Sequence, residues 1–377
     1  MKPIVILFLV ISIMISRAGN AQHLKAGFDA KEYMEMLSVF EKHFDTAKLS
    51  DIVLPPVDYT RIYRSPVVAL KNRWELWLRK DSVAVICLRG TTADPVSWQE
   101  NFYAAMVPAS GTLQLNDSTI FNYQLASRAD ATVHTGWLTG IGYLSPTILE
   151  KVKEWHAKGV REFIIMGHSQ GGALAFLLRS HLHYLMKKKE LPENLIFKTY
   201  CSAAPKPGNL FYAYDFEHIT SNGWGFTVLN ASDWVPETPF TVQTLDDFNA
   251  TNPFIVAPYV LKKLPLLPRI VLKSKYNKIN RSTRKAQKHL RKNLGDLMYT
   301  QIRKAQPQLR KPAFVKGMNY MRAGTPIILM PDSAYQMKYP DNDPAQIFRH
   351  HLMEPYYILA QKYLQSSGQY NTWHPSQ

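Results

Sequence analysis

The apolar run Phe163-Ile-Ile-Met166 leads into Gly167-His168-Ser169-Gln170-Gly171-Gly172, and Ala173 to Met186 is apolar with helical spacing. A short buried strand that turns through Gly-x-Ser-x-Gly directly into a helix has few ways to fold. The serine sits on a strained turn, and the flanking glycines let strand and helix backbones come close to it. The helix aims its positive end and free N–H groups at the same place, which favours developing negative charge. Gly-x-Ser-x-Gly alone recurs by chance, so it is the strand–turn–helix setting that makes Ser169 a candidate nucleophile.

The rest of the chain is patterned to match. An amphipathic helix is predicted over 29–44 with Asp29 as N-cap, then strands at 65–71, 74–79 and 82–89. A helical pattern through 145–158, the 163–166 strand, the 173–186 helix and strands at 197–203 and 226–230 follow. Strands alternating with helices predict an α/β fold with a largely parallel sheet. Cys87 and Cys201, the two cysteines of the chain, fall within strand-like runs and read as small buried apolar residues, and two cysteines exclude a disulfide scaffold.

Charge is unevenly placed. The chain carries 45 Lys+Arg against 29 Asp+Glu, a net +16. Residues 251–330 hold 18 Lys+Arg and a single acid, Asp296, so the basicity belongs to that segment and everything outside it sums to about −1. Lys273 to Arg310 reads as helical in part, and basic helices with apolar faces bind anionic membrane surfaces; a solvated positive cap is the plainer alternative. At the N-terminus, Lys2, the apolar run Pro3–Ile15 and small residues at Gly19 and Ala21 predict a signal peptide over 1–21, cut before Gln22. The protein is therefore expected to be exported, periplasmic or secreted, with no nucleic-acid partner.

A serine nucleophile needs a base and an acid that orients it, and on this architecture the chain order is Ser, acid, His. Asp233 directly follows the 226–230 strand, in the crevice where open α/β sheets bind ligands, with Asp215, Asp246 and Asp247 as competitors. Downstream of that strand the histidines are His289, His350, His351 and His374. His289 lies in the basic segment and His374 in the tail, so His350 and His351, ahead of the helical stretch 352–363, remain.

These residues resemble the class 3 lipase family of the α/β-hydrolase superfamily. Leu88-Arg89-Gly90-Thr91-Thr92 with Trp98, Val133-His134-Thr135-Gly136-Trp137, the 167–172 elbow, and Ala204-Pro-Lys-Pro-Gly208-Asn209 followed by Asn230-Ala-Ser-Asp233-Trp-Val-Pro236 are similar to its motifs in order and spacing. The likeness covers about 80–240; Ala204 stands where the family has Gly. It implies a mostly parallel central sheet with helices on both faces, Ser169 as nucleophile, Asp233 as triad acid, and an oxyanion hole from the backbone N–H groups of Thr91 and Gln170. His134 and His168 are implied to be structural. For the base the resemblance favours His351, since Tyr356 reproduces a His-x-x-x-x-Tyr spacing, with His350 as the alternative.

The expectation is one α/β-hydrolase domain over 22–377 with a basic helical insertion at about 251–330 before the catalytic His. It would be a serine ester hydrolase acting on acylglycerol-type carboxylic esters through an acyl-enzyme, with neither metal nor organic cofactor, and with a possible anionic membrane partner. The competing readings are a phospholipase, a non-lipid carboxylesterase, or a catalytically weak protein that binds membrane surfaces. The aromatic stretch Asp94–Pro108 reads either as a lid over an acyl pocket or as core.

Overall fold

A computed structural model describes residues 22–44 and 50–370. The expected signal peptide and His374 lie outside them. Helix α1 (Ala30–Glu41) starts where the Asp29 carboxylate accepts the Lys31 and Glu32 N–H groups, two donors that the first helical turn leaves without partners. Strands β1 (Tyr59–Arg64), β2 (Trp74–Arg79) and β3 (Ala84–Leu88) follow as an antiparallel meander. The expected strand at 65–71 is displaced: the alternating Tyr-Thr-Arg-Ile-Tyr-Arg of β1 makes the sheet edge. Residues 65–71 turn instead, with Ala69 and Lys71 at positive φ and Val68 bridged to Asn72.

Beyond β3 come α2 (Pro95–Phe102), β4 (Met106–Pro108), the hairpin β5 (Ser110–Gln114) and β6 (Ile120–Gln124), β7 (Thr132–His134) and the long helix α3 (Thr135–Ala157). The elbow joins β8 (Glu162–His168) to α4 (Gln170–Lys187). Then β9 (Ile196–Ser202), β10 (Gly208–Asn209), α5 (Leu210–Ile219) and β11 (Gly225–Asn230) complete the central run. The chain continues through α6 (Pro253–Lys262), α7 (Leu266–Arg291), a π-helical turn (Lys292–Leu297) and α8 (Met298–Ala305). It closes with β12 (Tyr320–Met321), β13 (Thr325–Leu329), α9 (Ser333–Lys338) and α10 (Met353–Tyr370).

The main sheet has seven strands in the order β1-β2-β3-β8-β9-β11-β13, parallel from β3 onward. Its alternation divides the core between two faces. Phe163 and Ile165 of β8 face the apolar cluster that holds α3, α4 and α5, while Ile164 and Met166 face the one built from α1 and α10. This is the period-two pattern of a strand covered by helices on both sides. The two cysteines are free and sit on opposite faces, on β3 and β9 with β8 between them. No helix among the described residues is long and apolar enough to cross a membrane.

The stretch read as a basic insertion, 251–330, has two parts. Helices α6 and α7 carry one buried residue, Gln287. From Leu294 onward the chain rejoins the fold: Gly295, Ile302, Leu309 and Met318 are buried, and β13 pairs in parallel with β11. The aromatic stretch 94–108 divides too, since Tyr103 to Val107 are core residues and only α2 presents Phe102 to solvent.

Candidate active site

Ser169 lies between β8 and α4 at φ 61°, ψ −130°, a conformation that non-glycine residues adopt only where the surroundings enforce it. Two close approaches do so here. A Cβ on Gly167 would come within 2.0 Å of the Gly171 carbonyl oxygen, and one on Gly171 within 2.2 Å of that of Leu88. Only glycine at both positions lets β3, the elbow and the first turn of α4 meet. The Ser169 N–H donates to Ser202 O (2.9 Å), and its carbonyl accepts from Gly172 and Ala173, opening α4. The Ala204 methyl is accommodated by the missing side chain of Gly172, where a Cβ would stand 2.7 Å away.

Asp233 follows β11 and is 4% exposed. Its Oδ2 accepts from His351 Nδ1 (2.7 Å) and from the Tyr356 hydroxyl (2.8 Å), and its Oδ1 from the Val235 N–H (3.0 Å). Burial alone would raise this carboxyl. The hydrogen bond and charge of His351, with the Val235 and Tyr356 donors, outweigh it and hold the group below the usual carboxylate range.

His351 is tied to the elbow as well. Its backbone carbonyl accepts from His168 Nε2 (2.7 Å), and the two rings lie 4.9 Å apart. His168, the residue before Ser169, bonds through Nδ1 to the Ser202 hydroxyl (2.9 Å), which meets the Tyr33 hydroxyl of α1 at 2.6 Å. Burial pushes the His168 imidazole down to about 3, so it stays neutral as a structural strut. His350 goes elsewhere: its Nδ1 meets the Tyr335 hydroxyl and its Nε2 the exposed Asp341, each at 2.8 Å. Of the competing acids, Asp215 accepts from Ser127 and Tyr184, Asp247 from Thr244, and Asp246 pairs with Arg284. His289 lies in α7.

Thr91 and Gln170 stand together, the Thr91 hydroxyl donating to Gln170 Oε1 (2.7 Å). Behind them is a relay that the sequence did not single out. Asn101 Nδ2 donates to Thr91 Oγ1 (2.8 Å), and Asn101 in turn accepts from Trp137 Nε1 and from His134 Nε2. His134 caps α3 through Nδ1 and stacks on Trp137 with centroids 3.6 Å apart. Gln170 Nε2 donates to Asn72, whose amide donates to Glu100. Burial pushes the Glu100 carboxyl up to about 8, so at neutral pH it is an uncharged acid. Beside His351 is an aromatic rim in which Phe348 contacts Trp98, Trp234 and the His351 ring at 5.7, 5.5 and 5.9 Å between centroids.

Residues 85–243 match the model of the family described as Lipase (class 3). Over that stretch the chain is similar to class 3 lipases. Among solved structures, the chain is similar to a triacylglycerol lipase from Penicillium expansum, with 16% identity and a TM-score of 0.42 over 56% of this chain and 75% of that one. The triacylglyceride lipase of Rhizomucor miehei gives 19% and 0.38 over 57% and 77%, and the Lip2 lipase of Yarrowia lipolytica 15% and 0.39 over 58% and 78%. No curated protein sequence matches. The matched stretch contains Thr91, Ser169, Gln170 and Asp233, whereas His351 and Tyr356 lie beyond it. Among the described residues no cluster of three or more His, Cys, Asp or Glu is arranged to hold a metal ion.

Proposed function

We propose that the protein is an exported lipase that hydrolyses acylglycerol-type carboxylic esters through a Ser169-His351-Asp233 triad and an acyl-enzyme. The observation that carries this reading is the 2.7 Å bond from His351 Nδ1 to the buried Asp233, made by a histidine whose own carbonyl is bonded to the residue before Ser169. With Nδ1 engaged, Nε2 is the nitrogen left to serve the serine.

Ser169 Oγ attacks the ester carbonyl carbon while its proton passes to His351 Nε2, and the carbonyl π pair moves onto oxygen. Asp233 holds the imidazole in the required tautomer and stabilises the imidazolium. The Thr91 and Gln170 N–H groups receive the oxyanion, each such donor being worth about 10²–10³ in turnover. Collapse expels the alcohol, which takes the proton from His351. Water then attacks the acyl-enzyme by the same route, with His351 as base and then acid, and releases the carboxylic acid. The chemistry is complete without metal or organic cofactor.

Export rests on the leader over 1–21, and N-terminal sequencing of protein recovered outside the cytoplasm should begin at Gln22. The triad is tested by a fluorophosphonate probe. It should label the wild type on the peptide that contains Ser169 and leave Ser169→Ala unlabelled; equal labelling of both would refute the assignment.

A further inference from the structure

The mechanism makes no use of the hairpin formed by α6 and α7, which is unusual in two ways. Ile255, Val260, Leu266, Leu267, Ile270 and Val271 are 50–76% exposed, on helices that bury almost nothing else. Exposed aliphatic side chains concentrated in one short segment point to an interaction site. Residues 253–291 also carry 11 Lys and Arg and no acid.

The two properties are unevenly distributed along the hairpin: most exposed aliphatic side chains precede Lys273, and eight of the eleven cations follow from it, with Lys262, Lys263 and Arg269 flanking the apolar end. The Tyr276 hydroxyl donates to the Phe254 carbonyl (3.2 Å), so α6 lies back along the first part of α7. The exposed aliphatic side chains lie along this folded part, on α6 and the first turns of α7. From Lys273 to Arg291, α7 continues as a shaft with eight Lys and Arg. At its root, the Leu294 carbonyl accepts the Ala105 N–H (3.0 Å), just past α2, which carries Trp98 of the aromatic rim.

We infer that the hairpin is a monotopic anchor: its apolar end enters one leaflet of a lipid surface, and its basic shaft lies against anionic headgroups. Charge selects this occupant. A second copy would bring the same excess of cations against these, and nucleic acid would leave the aliphatic end in water. With ten residues, α6 is about 15 Å long, half of a bilayer's hydrocarbon core, so the hairpin lies in the interface and does not span. The binding stands independently of the reading of the site. Only its purpose, to bring the site to lipid esters, rests on that reading.

The test uses full-length Ser169→Ala protein, so that binding is read without turnover, floated with vesicles of phosphatidylcholine alone or mixed with phosphatidylglycerol. Wild-type hairpin should bind the anionic vesicles and keep a measurable part of that binding when salt rises from about 0.1 M to about 1 M. Changing Leu266, Leu267 and Ile270 together to Gln should cut binding at least tenfold at both salts. Changing Lys273, Lys278 and Lys285 together to Gln should cut it at low salt only. Thermal melts of both variants should match the parent, since the altered side chains are exposed. Absence of binding to anionic vesicles, or a tip variant that binds as the parent does, would overturn the proposal. So would a parent that binds no vesicles and is a dimer in sedimentation equilibrium, with a monomeric tip variant, since the occupant would then be a second copy.

Discussion

Tyr356 donates its hydroxyl proton to Oδ2 of Asp233, the same oxygen that accepts from His351 Nδ1, at 2.8 and 2.7 Å. One carboxylate oxygen thus holds the candidate base and is itself held from α10. Because Tyr356 is fully buried and its packing belongs to the α1–α10 face, the orientation of the Asp233–His351 pair depends on a helix outside the stretch similar to class 3 lipases.

Removing that hydroxyl should therefore be felt in both stability and turnover. A hydrogen bond to a charged group contributes about 1.5–3 kcal/mol, so Tyr356→Phe should lose stability of that order and about tenfold in kcat, with KM little changed. The pH dependence has a definite sign. Asp233 is held below its ordinary value, so its contribution is present above the unfolded value and is lost as pH falls through the folded one. With one donor gone the folded value rises, and acid unfolding of Tyr356→Phe, followed by circular dichroism, should begin at a higher pH than in the wild type.

Glu100 gives the opposite slope. Its folded value is raised from 4.5 to about 8, so the folded state binds more protons between those limits. This contribution to stability is complete below the unfolded value and is lost as pH rises through about 8. Glu100→Gln keeps the shape and removes the titration. Its melting temperature relative to wild type should rise from pH 5 to pH 8.5; an unchanged difference would contradict a protonated Glu100.

The Thr91 hydroxyl bridges Asn101 and Gln170. Thr91→Val should lower kcat up to about 10²-fold with KM nearly unchanged, and Thr91→Ser should retain most of the activity. Steady-state kinetics on a soluble ester distinguishes this from a packing role, for which the valine variant would be the better tolerated of the two.

The local parts of this arrangement were legible in the sequence. The elbow announces itself because strand, turn and helix are contiguous, and Asp233 because it directly follows a strand. The residues alone left His350 and His351 open, and only the resemblance, through the Tyr356 spacing, favoured His351. The two are adjacent in sequence, and only the tertiary fold turns one toward Asp233, 118 residues away, and the other toward Tyr335 and Asp341. Asn101, Asn72 and Glu100 were invisible for the same reason, since nothing in their neighbours marks a buried relay. Strand β1 was misplaced because its Thr60 and Arg61 are solvent-facing edge residues, whereas Pro66-Val-Val-Ala69 is more apolar yet turns. The segment 251–330 read as one unit because its charge is uniform; burial of Ile302, Leu309 and Met318 divides it.

The central claim is that Ser169, His351 and Asp233 act as one catalytic unit. Hydrolysis of p-nitrophenyl esters from acetyl to palmitoyl, by wild type beside Ser169→Ala, His351→Ala and His350→Ala, tests it most directly. The account predicts turnover by wild type and His350→Ala, and a loss of at least about 10³-fold in kcat for Ser169→Ala and His351→Ala. Activity in His351→Ala equal to wild type, or a wild type no faster than Ser169→Ala on every ester, would contradict it.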